Sequence, residues 1–75
     1  MAQLTARIPI VLYVNGKELE YNKTMLLSEL LIHLEMSKLL CAVEVNKKLI
    51  PHNERGHFVL NDDDQIEIVT LVGGG

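Results

Sequence analysis

The run Ile8-Pro9-Ile10-Val11-Leu12-Tyr13-Val14 is β-branched and apolar, a composition that fits a half-buried pleated surface and predicts a strand. Pro9 has no N–H to give a ladder, so it belongs near the strand's start or on an edge. Asn15-Gly16 follows. Both residues accept the positive φ of a type I′ turn, so Lys17-Glu18-Leu19-Glu20-Tyr21 is expected to return antiparallel, with Leu19 and Tyr21 on one face and Glu18 and Glu20 in water. The period then changes. Leu27, Leu30, Leu31 and Leu34 fall at i, i+3, i+4 and i+7, the stripe of an amphipathic helix with Ser28, Glu29 and Glu35 on its polar side.

Alternation resumes in Cys41-Ala42-Val43-Glu44-Val45-Asn46, and Asn46-Lys47-Lys48 turns into a short apolar pair, Leu49-Ile50, stopped by Pro51. Residues 52–56 read as polar and irregular, Phe58-Val59-Leu60 as a return to the core, and Asn61-Asp62-Asp63-Asp64 as a turn before a last strand, Gln65 to Leu71. The sum is an α+β fold, a sheet of about four to five strands packed on one main helix. Within the last strand Ile66 and Ile68 share one face, and Glu67, Val69 and Leu71 the other. With the isoleucines inward, Val69 and Leu71 are exposed and, with Val72, form a candidate partner-binding patch. The competing expectation is that loops cover that face.

At 75 residues the chain is one domain, 1–75, with residues 1–8 expected as a lead-in and 72–75 as a flexible tail. No apolar run approaches the roughly 18 residues of a membrane span. The net charge of −3, with only Tyr13, Tyr21 and Phe58 available to stack on bases, argues against a nucleic-acid partner. Met1 to Arg7 lacks the apolar core of a secretory signal. A lone Cys41 can form no internal disulfide, which fits a reducing compartment, the cytoplasm or alternatively a plastid stroma. Cys41 itself is expected as a small buried residue. His33, His52 and His57 match no zinc spacing, Asp62-Asp63-Asp64 lacks the spaced ligands of a calcium loop and reads as a solvated turn, and Lys47-Lys48 with Arg55 is too small a basic cluster to argue for an anion.

The candidate chemistry lies in Val72-Gly73-Gly74-Gly75, which follows the last strand directly. Glycines bury no side chain and lose the most conformational freedom on ordering, so they add nothing to a core. Without Cβ atoms, however, such a tail passes through a slot barely wider than a backbone. Four extended residues reach about 13–14 Å, and the chain ends in an unhindered carboxylate at Gly75. A flexible linker would be the bland alternative, but linkers usually mix in Ser and none is present.

Taken in order, Ala42-Val43-Glu44-Val45-Asn46, Ile50-Pro51, Asp62-Asp63-Asp64-Gln65-Ile66-Glu67-Ile68-Val69 and Val72-Gly73-Gly74-Gly75 resemble the ThiS sulfur-carrier family of thiamin biosynthesis, from about Ile10 to Gly75. Two departures stand out. Asp63 replaces a glycine common in the family's last turn, a position where Asp tolerates left-handed backbone. Leu26 occupies the helix-capping position ahead of Glu29, which points to Thr24 as a substitute cap. The resemblance implies a ubiquitin-like β-grasp fold with a mixed sheet. It also implies a protein co-substrate and not an enzyme. Gly75 would carry the sulfur, and Gly73 and Gly74 would thread. A ThiF-like adenylyltransferase using ATP and magnesium would convert the carboxylate to an acyl-adenylate, and a sulfur donor such as a cysteine desulfurase would lead to a thiocarboxylate. A ThiG-like thiazole synthase would receive the sulfur. This chain would bind no cofactor and would be a monomer when free. A carrier for molybdopterin synthesis, a ubiquitin-like conjugating protein, and a β-grasp interaction module without chemistry are the alternatives.

Overall fold

The computed structural model describes residues 9–71; the expected lead-in over 1–8 and tail over 72–75 lie outside the described residues. Strands β1 (Ile10–Val14) and β2 (Lys17–Tyr21) form the first hairpin. A short β3 (Met25–Leu26) runs into helix α1 (Leu27–His33). There follow β4 (Cys41–Val45), β5 (Lys48–Leu49), a 3₁₀ turn (His52–Glu54), β6 (Val59–Leu60) and β7 (Gln65–Thr70). The main sheet has the order β2-β1-β7-β4-β5, with β3 and β6 paired as a separate ribbon. Only β1 and β7 run parallel, so the sheet is mixed as expected. The β3–β6 ribbon has no signal in the local pattern.

Asn15 and Gly16 both take positive φ, 51° and 84°, the conformation that matches a tight turn to the twist of its strands. A Cβ at Gly16 would meet nothing within 4 Å, so glycine is favoured there by its φ alone. Asn46 and Lys47, at φ 53° and 70°, make the same kind of turn between β4 and β5 with no glycine at all.

The helix is short, and its ends are held mostly from outside. Thr24 does not cap it: Leu26 stands at the N-cap and has no side-chain acceptor, so half of a capping box remains, the Glu29 carboxylate accepting from Leu26 N–H at 2.8 Å. The next two N–H groups donate to the carbonyls of Phe58 (2.8 Å) and Arg55 (3.0 Å). Backbone from the 55–58 segment thus satisfies donors that a helix of this length cannot. At the other end Glu35 N–H donates to Ile32 and Met36 N–H to Leu31, with Glu35 at φ 60°. This is a Schellman closure with a glutamate where glycine is usual.

The helix stripe meets one face of the sheet. Leu12, Leu27, Leu30, Val43, Leu60 and Ile66 are fully buried, each burial worth roughly 1.5–3 kcal/mol. Leu34, at the helix end, is half-buried against this core. Two short apolar segments divide between core and solvent: Ile50 and Leu60 are buried, but Leu49 and Val59 are exposed.

Two polar expectations are corrected. Arg55 is no part of a surface basic cluster: it is 8% exposed, and its guanidinium donates to the Cys41 carbonyl at 2.8 Å and approaches Cys41 Sγ at 3.6 Å, while its Nε–H has no partner. The 51–57 segment is tied to the start of β4 by this contact, an apolar stem and a charged fork doing what a hydrophobe cannot. The aspartate turn is only partly solvated. Asp64 is buried and accepts from Asn61 N–H (2.7 Å) and from the Asn46 amide (3.0 Å), while Asp62 accepts from Val11 N–H at 2.7 Å. Asp63 takes the left-handed conformation, φ 71°.

Because Glu35 sits in a conformation that costs a non-glycine residue about 1–2 kcal/mol, Glu35→Gly is expected to raise stability by roughly 0.5–1 kcal/mol. Urea unfolding followed by circular dichroism checks this; an unchanged or lower midpoint refutes it.

Candidate functional site

The strand that leads into the glycine tail is in the middle of the sheet. On one side β7 pairs with β4 over five residues, Cys41↔Thr70 to Val45↔Ile66, and Leu71 N–H continues the ladder to the Leu40 carbonyl at 2.7 Å. On the other side β1 supplies two register positions, Tyr13↔Gln65 and Val14↔Ile66, and then ends in its turn. Asn15 extends it. Its backbone N–H donates to Ile66 O (2.8 Å), its Oδ1 accepts from Ile68 N–H (2.7 Å), and its Nδ2 donates to Ile68 O (3.1 Å). A side-chain amide therefore serves as the next rung of a parallel ladder. Asn46 does the same work at the start of β7, accepting from Gln65 N–H at 3.0 Å while its own N–H donates to Gln65 O at 2.7 Å. Each turn asparagine supplies both a positive φ and a bond to β7.

The pleat then decides what surrounds the exit of the strand. Ile66 and Ile68 point into the core, and Val69 and Leu71 point away from it, 58% and 50% exposed. Loops do not cover this face at these two residues. Val72, Gly73, Gly74 and Gly75 lie outside the described residues. The register adds neighbours that the sequence reading missed. Ala42 is directly opposite Val69, and Leu40, 72% exposed, carries the carbonyl to which Leu71 is bonded. An apolar group of Leu40, Ala42, Val69 and Leu71 thus spans two strands where β7 ends. Alternation along 41–46 already set Ala42 apart from Val43; what the chain order could not give was the pairing with β7.

Other reactive side chains are placed elsewhere. Cys41 is buried beneath Arg55. His33 packs its ring against Tyr21, centroids 5.7 Å apart and planes at 70°. Among the described residues no three His, Cys, Asp or Glu side chains gather as a metal site. On the helix side a cavity of about 170 Å³ is lined by Ser28, Leu31, Ile32, Ser37, His52, Arg55 and Gly56. No described helix is long and apolar enough to cross a membrane.

Comparison with known proteins agrees with this geometry. Residues 9–75 match the model of the ThiS family. The sulfur carrier protein ThiS of Bacillus subtilis is 42% identical over 67 residues, covering 87% of this chain and all of that protein. A thiazole synthase of Paramagnetospirillum magneticum is 34% identical over 64 residues, 85% of this chain but 20% of that longer protein. A crystal structure of the thiamine biosynthesis protein ThiS from Geobacter metallireducens superposes with a TM-score of 0.73 at 26% identity, covering 88% of this chain and all of that one. The fold is the ubiquitin-like β-grasp shared with that structure.

Asn15→Gly keeps the turn conformation but removes both side-chain bonds to Ile68, and is expected to cost roughly 1–2 kcal/mol. Val69→Asp and Leu71→Asp, at exposed positions, should each shift stability by no more than about 0.5 kcal/mol. Denaturant titration of the three variants separates the strand anchor from the surface patch; a large loss from either aspartate would place its side chain in the core.

Proposed function

The chain belongs to the ThiS family, and from that premise we propose that it is a protein co-substrate, a sulfur carrier for thiamin biosynthesis, acted on by enzymes and not itself one. The reacting group is the Gly75 carboxylate. Ionised at neutral pH, it is a poor electrophile and must first be activated. A ThiF-like adenylyltransferase does this with ATP and magnesium, both held by that partner: the carboxylate attacks the α-phosphorus, pyrophosphate leaves, and the carboxylate is joined to AMP. Attack by the terminal sulfur of a persulfide, supplied by a cysteine desulfurase or its equivalent, expels AMP and gives an acyl disulfide, and a thiol reductant then cleaves the S–S bond, being oxidised to a disulfide and leaving a C-terminal thiocarboxylate. A ThiG-like thiazole synthase then takes the sulfur.

The single observation that carries this reading is the family match spanning residues 9–75, the glycines included. The body of the protein suits it. Leu71 is hydrogen-bonded to Leu40 in the centre of the sheet, so the tail begins at a fixed point, and Val72 to Gly75 can reach about 13–14 Å into a partner. Gly73 and Gly74 give clearance beside the reacting carbon. Val69, Leu71 and Val72 dock the partner that receives the tail, with Val69 and Leu71 presenting apolar surface beside it. The likeness to part of a thiazole synthase supports a ThiG-type acceptor over a molybdopterin destination.

Intact-mass spectrometry after incubation with ATP, magnesium, a ThiF-type enzyme and a sulfur source is expected to detect exchange of one oxygen for sulfur at the last residue. Deleting Gly75 should abolish the exchange and leave the unfolding midpoint unchanged. The pair Val69→Asp and Leu71→Asp should stay folded and lose adenylation. An unmodified wild-type chain beside an active enzyme would refute the carrier reading; full adenylation of the aspartate pair would refute the patch alone.

A further inference from the structure

Among the described residues, Arg55 is the cation that the fold buries. A guanidinium does not lose its proton in a protein, so a full positive charge is held inside. Buried charges are as a rule paired with an opposite one. Here the acceptors are the Cys41 carbonyl, 2.8 Å from Nη2, and the Cys41 sulfur, 3.6 Å from Nη1. A carbonyl dipole and a distant sulfur do not balance a guanidinium. Its Nε–H is buried and donates to nothing, and among the described residues no carboxylate accepts from any of its nitrogens. The same side chain forms part of the wall of the cavity of about 170 Å³ on the helix side. Leu31, which is buried, and Ile32 give that cavity an apolar side, and Ser28, Ser37 and His52 bring polar groups to it. Its two halves, α1 and the segment that carries Arg55, are fastened together by the bond from Ser28 N–H to the Arg55 carbonyl.

We propose that this cavity binds a compact carboxylate with a short aliphatic stem, its oxygens toward the Arg55 guanidinium and the Ser28 and Ser37 hydroxyls, its stem along Leu31 and Ile32. The unpaired cation sets the sign of the ligand. Water satisfies a donor but leaves the charge without a counterpart, and a metal ion would be repelled. The lining sets the rest. A phosphate carries more charge and more acceptor oxygens than one guanidinium and two hydroxyls can serve, and it gains nothing from the two aliphatic side chains. A carboxylate is planar, matches a guanidinium edge, and needs few donors. A mostly apolar concave surface with a few convergent polar groups is the usual form of a small-ligand site. The site is on the helix side of the sheet, away from Val69 and Leu71, and it stands whether or not Gly75 carries sulfur.

The test titrates the full chain with butyrate, following amide and guanidinium N–H signals by NMR, with butanol and inorganic phosphate as controls at matched ionic strength. Butyrate is expected to give saturable shifts at Ser28, Ser37 and Arg55, its Nε–H included, and an unfolding midpoint that rises with butyrate concentration. Butanol and phosphate should each bind at least about tenfold more weakly. The double variant Ser28→Ala and Ser37→Ala keeps every backbone bond and should stay folded while binding butyrate about fivefold more weakly. Arg55→Gln should lose saturable binding; if it does not fold, the serine pair decides. The proposal is overturned by an absence of saturable shifts, by butanol or phosphate binding as well as butyrate, by undiminished affinity in the serine pair, or by a folded Arg55→Gln that still binds.

Discussion

The placement of β7 between β1 and β4 is the constraint on which the rest depends. A strand formed last in the chain has to enter the centre of a sheet whose other members are some twenty to fifty residues earlier. The slot must be the right width and correctly registered on both sides. Five residues of antiparallel ladder with β4 supply one wall. The other wall is shorter than the strand, and Asn15 completes it with a side-chain amide. Two asparagines that make local turns therefore also fix the alignment of a strand about fifty and about twenty residues away. This economy suits a domain of 75 residues, in which one core must stabilise everything.

From that placement the division of faces follows. Ile66 and Ile68 close the core against α1, whose own donors are satisfied by Phe58 and Arg55. The opposite side of the same strand is left to carry Glu67, Val69 and Leu71. Core and exposed surface are thus read from alternate residues of one segment. A one-residue slip would exchange them and bury a glutamate where an isoleucine belongs.

What was legible in the sequence was local. Asn15-Gly16 specified its hairpin because both residues accept positive φ; the leucine spacing specified α1 because the helical period is short; alternation in β7 separated Ile68 from Val69. The glycine tail drew attention for its chemistry. What escaped depends on contacts between distant residues. Arg55 reads as a solvent cation until the fold brings it to Cys41. Thr24 reads as a cap until backbone from 55–58 takes over that task. Leu40 and Ala42 join Val69 and Leu71 only through the β4–β7 register.

The central position of β7 also has a mechanical meaning. A partner that grips the tail and draws it along the strand direction loads the β4 ladder and the Asn15 rung in shear. In that geometry the hydrogen bonds resist together, whereas an edge strand pulled sideways would peel open one bond at a time. Traction applied at the end of β7 is therefore borne by the whole sheet, and the body keeps its shape under a load along the strand.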